Sequence, residues 1–482
     1  MTLATLLARV ATRDVRGEIH RDVRAVSRDS RDVGPDDVFV AIEGARIDGH
    51  DLVPGLQAAA VVVSRAVDAA AGVTVVEVDD TKVALAQLAA ALHGYPSEAV
   101  QLVGVTGTNG KTTVTRLVDG ALLALGRVSG HIGTAGNALR GVPEPAAFTT
   151  PEAPQLQALL RRWADAGAEV VAMEVSSIGL AQHRVDATRF HVAAFTNLTQ
   201  DHLDFHGTLG AYQRAKARLF EELLRAPGGM PRAVLCADDP ASADVGAPAD
   251  RWTYGFGPAD WQITEVQLDA AGTRMALSTP LGPVTLRSPM LGRHNAQNLA
   301  CAAALLATLG LPLDDIAHGL AAVEGVPGRL ERVADPAGRL VVVDYAHSPD
   351  ALQHALATVA DLLDDGATLW VVFGCGGDRD RGKRPQMGAV AEASGARVVL
   401  TSDNPRSEDP DTILAAIAGG MSALPERIEP DRAAAIRYAI AATGAGDAVL
   451  IAGKGHETTQ EVAGTKHPFD DRVQARLALE AT

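Results

Sequence analysis

The run Gly107-Thr108-Asn109-Gly110-Lys111-Thr112-Thr113 follows the apolar stretch Leu102-Val103-Gly104-Val105 and leads into an amphipathic segment ending near Leu125. Residues of these types in this order hold phosphate. Glycines let backbone N–H groups converge on phosphate oxygens, the following helix points its positive end at them, Lys111 adds a cation, and Thr112 offers a hydroxyl to Mg²⁺. The common loop of this kind has four residues between its first glycine and the Gly-Lys pair. That spacing calls for glycine at 105, where this chain has Val105; Gly107, two residues nearer, takes its place. The shortened spacing points away from the common GTPases and motor ATPases and toward a narrower group of ATP-using enzymes.

Glu174 closes the apolar run Val170-Val171-Ala172-Met173, so its carboxylate is expected at the sheet edge beside the phosphates. A hard anionic oxygen there suits Mg²⁺, and the plainer alternative is a carboxylate capping the next turn. Ser176 and Ser177 follow as helix caps or phosphate neighbours. Asn197 to Gly207 packs His202, His206, Asp201 and Asp204 into one loop after a strand, and Lys216 follows on a helical stretch from Tyr212 to Leu223. Taken alone, a lysine on a helix is a solvated charge.

In the last third, four apolar runs end in polar or glycine-shaped loops: Asp344-Tyr345-Ala346-His347, Gly374 to Arg379, Asp403-Asn404-Pro405-Arg406 and Gly453-Lys454-Gly455-His456-Glu457. Parallel strands put such loops on one edge, where open α/β sheets bind ligands. Arg379 and Arg406 with Glu457 match a ligand carrying both carboxylate and ammonium groups.

These residues must be positioned by alternating strands and helices. A chain of 482 residues is too long for one hydrophobic core and predicts about three domains. The expected division is 1–95, a small N-terminal α/β domain closing at Gly94-Tyr95-Pro96; 96–328, a central domain with a P-loop-type parallel sheet; and 329–482, a C-terminal Rossmann-like domain. Residues 244–250 read as a surface loop. With 59 acidic and 43 basic residues the formal charge is −16, which disfavours nucleic acid and anionic membrane surfaces. The three cysteines have no metal-ligand spacing, and no uncharged apolar run is long enough to span a bilayer, so a cytoplasmic protein without membrane insertion is expected.

In this order the motifs resemble the Mur ligase family over nearly the whole chain. The resemblance rests on Asp29-Ser30-Arg31, the phosphate loop, Thr149-Thr150-Pro151-Glu152, Met173 to Ser177, Gln182 to Val185, Asn197 to Gly207, Ala215-Lys216, Tyr345 to Asp350, Phe373 to Arg379, Asp403 to Arg406 and Gly453 to Glu457. It implies ATP-dependent amide formation through an acyl phosphate, with Mg²⁺. It assigns Gly107, Thr108, Asn109, Gly110, Lys111, Thr112, Thr113, Asn298, Arg329, Asp344 and His347 to ATP. It assigns Lys111, Glu174, His202 and Lys216 to catalysis, and Thr112, Glu174, His202 and a carbamylated Lys216 to metal.

Ser30, Thr149, Thr150, Ser176, Gln182 and Arg184 match the surface for a UDP-N-acetylmuramoyl dipeptide. Arg379, Asp403, Asn404, Arg406, Gly453 and Glu457 match the amino-acid pocket. The Asp-Asn-Pro-Arg loop resembles members that add meso-diaminopimelate, whose second carboxylate suits the guanidinium, whereas the side chain of L-lysine would meet a like charge at Arg406. An L-lysine-adding member or a folylpolyglutamate synthase is the nearest alternative. A nucleotide-regulated binding protein is the alternative from another class. One departure is Ile178, where relatives commonly carry histidine.

Overall fold

The computed structural model describes residues 1–44, 47–224, 233–246, 248–269 and 271–481, so Ala247 of the expected surface loop lies outside them. The chain is α/β throughout. It divides into two compact units: Met1–Thr264 with Leu277–Val284 and Gln297–Ala322, and Glu265–Ala276 with Thr285–Ala296 and Val323–Thr482.

The first unit holds two sheets. The N-terminal one orders its strands Thr12–Arg16, Thr74–Val78, Ala60–Val63, Val38–Val40 and Val26–Ser27, all parallel except the first pair. Helix Thr81–Leu92 packs Leu85 and Leu88 into its core, and Asp80 caps that helix by accepting from the Lys82 and Val83 amides.

The central sheet runs Arg251–Gly255, Ala233–Cys236, Val192–Phe195, Gln101–Thr106, Val170–Glu174 and Ser129–Ile132 in parallel, extended by the antiparallel strands Asn137–Leu139 and Val142–Glu144. Gln101–Thr106 lies in the middle, buried on both faces, which is why it reads as a continuous apolar run. Chain order runs to one side of it through Ser129–Ile132 and Val170–Glu174, then to the other side with Val192–Phe195. The carboxyl end of Gln101–Thr106 is therefore a topological switch point, where α/β sheets open a ligand crevice.

The second unit orders its main strands Glu331–Val333, Leu340–Asp344, Ala448–Ala452, Leu369–Phe373, Arg397–Leu400 and Arg427–Ile428, all parallel but the first pair. The period of two in these strands builds two cores. Val342, Val371 and Leu450 meet helices Pro349–Ala360, Lys383–Ala393 and Pro410–Ala418, while Val341, Val343, Trp370 and Val449 meet Arg432–Ala441 and Asp471–Glu480. All three cysteines are buried, and no described helix is long and apolar enough to cross a membrane.

Candidate active site

The phosphate loop is strapped to the end of the neighbouring strand. The Thr108 amide donates to the Asn197 carbonyl at 2.8 Å, the Asn109 amide to Asn197 Oδ1 at 2.8 Å, and Thr196 Oγ1 to the Asn109 carbonyl at 2.5 Å. Gly107 and Gly110 are required by close approach. A Cβ on Gly107 (φ +146°) would fall 1.9 Å from Thr196 Oγ1, and one on Gly110 (φ +85°) 2.6 Å from Asn298 Oδ1. Helix Lys111–Ala124 starts at once, with left-handed Gly110 as its N-cap. Thr112 and Thr113 are buried in its first turn, and Lys111 Nζ lies over the loop, donating to the Gly107 and Thr108 carbonyls at 3.0 and 2.7 Å.

Glu174 is 1% exposed and ends its strand beside this loop. Its Oε1 accepts from the Thr134 amide at 2.7 Å, and a Cβ on Gly133 would fall 2.1 Å from the same oxygen. From there one network runs outward. Thr134 Oγ1 pairs with Thr149 Oγ1 at 2.9 Å, and Thr150 Oγ1 donates to the Glu174 carbonyl while accepting from the Ser176 amide, both at 2.9 Å. Ser176 Oγ caps the short helix Ser177–Ala181. Arg184 donates to the Thr150 carbonyl at 2.9 Å and Gln182 Oε1 at 2.6 Å, pairs with Glu152 at 2.9 Å, and lies 4.8 Å over the Phe148 ring. Glu152 also meets Arg28 at 3.2 Å, two residues before Ser30 in the N-terminal segment. Thr149, Thr150, Ser176, Gln182 and Arg184 are thus brought together.

Lys216 is not a solvated charge. It is 1% exposed; its Nζ donates to the Gly107 carbonyl at 2.7 Å and lies 4.3 Å over the Tyr212 ring. Burial, with the nearby Lys111 charge, pushes its pKa well below that of a free lysine and makes the amine less basic. Tyr212 Oη pairs with Thr108 Oγ1 at 3.2 Å, joining this helix to the phosphate loop. His202 is exposed with φ +52°, edge-on to Tyr212 at 6.2 Å, while His206 Nε2 pairs with Ser177 Oγ at 3.0 Å. Among the described residues no three His, Cys, Asp or Glu side chains form a metal cluster.

Asn298 is brought to the loop through Gly110; Arg329, Asp344 and His347 belong to the second unit. There Arg329 lies 4.9 Å over the Tyr345 ring and His347 packs edge-on against that ring at 4.6 Å. Asp344 accepts from the Leu330 amide at 2.7 Å, and burial raises its carboxyl pKa.

The remaining loops of the second unit converge as expected. Asn404 Nδ2 donates to Glu457 Oε2 at 2.8 Å, and Arg406 (φ +52°) donates to the Gly377 carbonyl at 2.6 Å and faces Glu461 at 3.7 Å. Gly376 separates the two arginines: its Cβ would stand 2.9 Å from Arg406 Nη1 and 3.8 Å from Cγ of the exposed Arg379. Gly453 (φ +118°) admits Asp403, whose Oδ2 would be 2.6 Å from a Cβ there. Burial opposes ionisation of Glu457, yet the Lys454 charge and the hydrogen bonds from Lys454 and Asn404 hold its carboxyl below the ordinary range.

Sequence reasoning passed over several participants. Thr134, which orients Glu174, carries no local signal, and Glu152, quoted only as part of a motif, joins Arg28 to Arg184. Nor does the fully buried pair Arg432–Asp471, whose guanidinium also donates to the Ser402 and Ala452 carbonyls at the roots of two pocket loops.

Three family models match most of the chain. Residues 22–93 match the Mur ligase family catalytic domain, 105–306 the Mur ligase middle domain and 328–455 the Mur ligase glutamate ligase domain. A UDP-N-acetylmuramoyl-L-alanyl-D-glutamate–2,6-diaminopimelate ligase from Gloeobacter violaceus is 43% identical, covering 99% of this chain and 98% of its own. A solved structure of an enzyme of that name is 33% identical with TM-score 0.72, covering 100% of this chain and 99% of its own. Mycobacterium tuberculosis folylpolyglutamate synthase, solved with ADP, shares the fold at 23% identity and TM-score 0.63, over 78% of this chain and 92% of its own. The phosphate loop with its displaced first glycine, the Glu174 network and the near full-length likeness together show that the chain belongs to the Mur ligase family.

Proposed function

We propose that this ligase joins meso-diaminopimelate to UDP-N-acetylmuramoyl-L-alanyl-D-glutamate at the expense of ATP. The observation that carries the reading is the convergence of Lys111 and buried Lys216 on one carbonyl, that of Gly107, in a loop beside Glu174. The near full-length likeness to diaminopimelate ligases supports the choice of substrates. The domain division 1–95, 96–328 and 329–482 belongs to this reading, with ATP and the UDP-linked precursor placing the enzyme in the cytoplasm.

The glutamyl carboxylate oxygen attacks the γ-phosphorus, the bond to the bridging oxygen breaks, and ADP leaves. The amine of diaminopimelate then attacks the acyl carbon, phosphate leaves, and the nitrogen gives up its proton. Positioning and charge neutralisation supply most of the rate. Gly107 to Thr113 hold the phosphates with Asn298, and Lys111 supplies the cation. Arg329, Asp344 and His347 stay assigned to the nucleotide, and Ser30, Thr149, Thr150, Ser176, Gln182 and Arg184 to the UDP-linked substrate.

The donor set fits magnesium: the Thr112 hydroxyl and the Glu174 carboxylate are hard oxygens on two buried residues beside the phosphate loop. Magnesium held there would offset the negative charge that develops on the phosphate in transfer. His202 and Lys216 would serve a second magnesium ion. The neutral Lys216 amine attacks CO₂, releases a proton and becomes a carbamate, an anionic oxygen donor where an ammonium would repel the ion; its depressed basicity supports this assignment.

In the amino-acid pocket, Arg379 and Arg406 take carboxylates and Glu457 takes an ammonium, with Asp403, Asn404 and Gly453 shaping the walls. The test is phosphate release and product mass with ATP, Mg²⁺ and the UDP-linked dipeptide across a panel of amino acids. Turnover with meso-diaminopimelate well above that with L-lysine is expected; equal or faster turnover with L-lysine overturns the amino-acid assignment. Product from folate and glutamate would overturn the assignment of the UDP-linked substrate.

A further inference from the structure

Lys454 is wholly buried, at 0% exposure, yet no step above uses it. A buried ammonium is costly unless it is paired and hydrogen-bonded. Here Nζ donates to Asn404 Oδ1 at 3.1 Å and to Glu457 Oε2 at 2.9 Å, and Asn404 Nδ2 donates to that same Oε2 at 2.8 Å. The three side chains close a ring across the ends of two parallel strands, Arg397–Leu400 and Ala448–Ala452. Asn404 Oδ1 also accepts from the Glu461 amide at 2.9 Å, so its amide orientation is fixed. The backbone holds the lysine in turn, because a Cβ on Gly455 (φ +51°) would fall 2.6 Å from Tyr345 Cβ and the Glu457 amide donates to the Lys454 carbonyl at 2.9 Å.

This ring occupies Oε2 of Glu457 and leaves Oε1 outside it. We infer that Lys454 is a positioning residue for the amino-acid substrate: by binding Oε2 it fixes the Glu457 carboxylate so that Oε1 faces the ligand ammonium farther from the bond being formed. The inference rests on the pocket assignment made above. Asn404, expected to touch the amino acid, then acts in large part through Glu457.

The experiment compares meso-diaminopimelate with 2-aminopimelate, which keeps the carbon chain and both carboxylates but lacks the distal ammonium. The wild-type enzyme should favour diaminopimelate by roughly tenfold or more in kcat/KM, the worth of one charge-assisted hydrogen bond. In Lys454→Met the ratio should fall toward unity through the KM for diaminopimelate, while the KM for ATP stays within about twofold. Lys454→Gln carries the same expectation with a polar side chain retained, should the methionine variant not fold. A ratio that survives in a folded variant, whatever its kcat, overturns the role of Lys454 and leaves the pocket assignment standing. A wild-type enzyme that does not distinguish the two amino acids overturns the pocket assignment and this inference with it.

Discussion

Asp471→Leu tests whether the buried ion pair of the second unit holds the proposed amino-acid pocket in place. Both partners are 0% exposed, and Arg432 reaches Asp471 through Nε and Nη2 at 2.7 Å each. The same guanidinium donates to the Ala452 carbonyl at 2.9 Å and the Ser402 carbonyl at 3.3 Å. Removing the carboxylate leaves a buried cation that keeps those two carbonyls and the more distant charges of Asp403 and Glu457. That costs about 3–5 kcal/mol, or a fall in the unfolding temperature of roughly 6–20 °C for a unit of this size.

A competing cause is the loss of an acidic residue from the first turn of Asp471–Glu480, but that is worth only ~0.3–1 kcal/mol and leaves Asp470 as N-cap. The double variant Arg432→Met/Asp471→Leu separates the two, because removing both charges should restore stability to within about 1–2 kcal/mol of the wild type. Its KM for diaminopimelate should stay raised, since the tie between the Ser402 and Ala452 carbonyls is gone. Thermal and urea unfolding of the full chain measure the first quantity and steady-state kinetics the second. If Asp471→Leu lies within about 1 kcal/mol of the wild type, the pair is not the support described here.

Lys216→Ala should lower turnover by roughly 10–100-fold or more, with partial recovery on adding acetate, whose carboxylate can replace the carbamate; near-normal phosphate release would refute the carbamate assignment. Gly110→Ala places a Cβ at φ +85° and 2.6 Å from Asn298 Oδ1, so stability should drop by about 1–2 kcal/mol in urea unfolding and ADP affinity should drop further, measured by calorimetry. Burial pushes the Cys375 thiol up to about 12 and raises Cys236 and Cys301 as well. A raised thiol pKa lowers the thiolate fraction, to about 10⁻⁴ for Cys375 at pH 8, so iodoacetamide should spare all three in the native protein and label all three after denaturation. Labelling of the native protein at the rate of free cysteine would contradict the burial.

Much of the architecture was legible because its signals are local. Val341, Val342 and Val343 alternate between two cores, and the polar loops after four apolar runs do lie at the carboxyl ends of parallel strands. Gly107 and Gly110 announce a place where no side chain fits, and both meet a neighbour within 2.6 Å of a would-be Cβ. Glu174 emerges at the strand end because its place in the run determines it. Lys216 and Lys454 were not legible in the same way. Each looks like a solvated cation in sequence, and each is buried against partners that lie 109 and 50 residues away.

Order along the chain therefore determined the kind of site: a glycine cradle for phosphate, a carboxylate beside it, and arginines with a glutamate on a second sheet edge. Residue type and local spacing suffice for that, since backbone freedom, strand periodicity and side-chain charge are properties of short segments. The tertiary structure alone decided which charges are buried and what faces them. It put Lys216 on the Gly107 carbonyl with its basicity lowered, joined Arg28 to Arg184 through Glu152, and closed Lys454, Asn404 and Glu457 into a ring. Desolvation and pairing depend on atoms brought together from distant parts of the chain, so no window of sequence contains them.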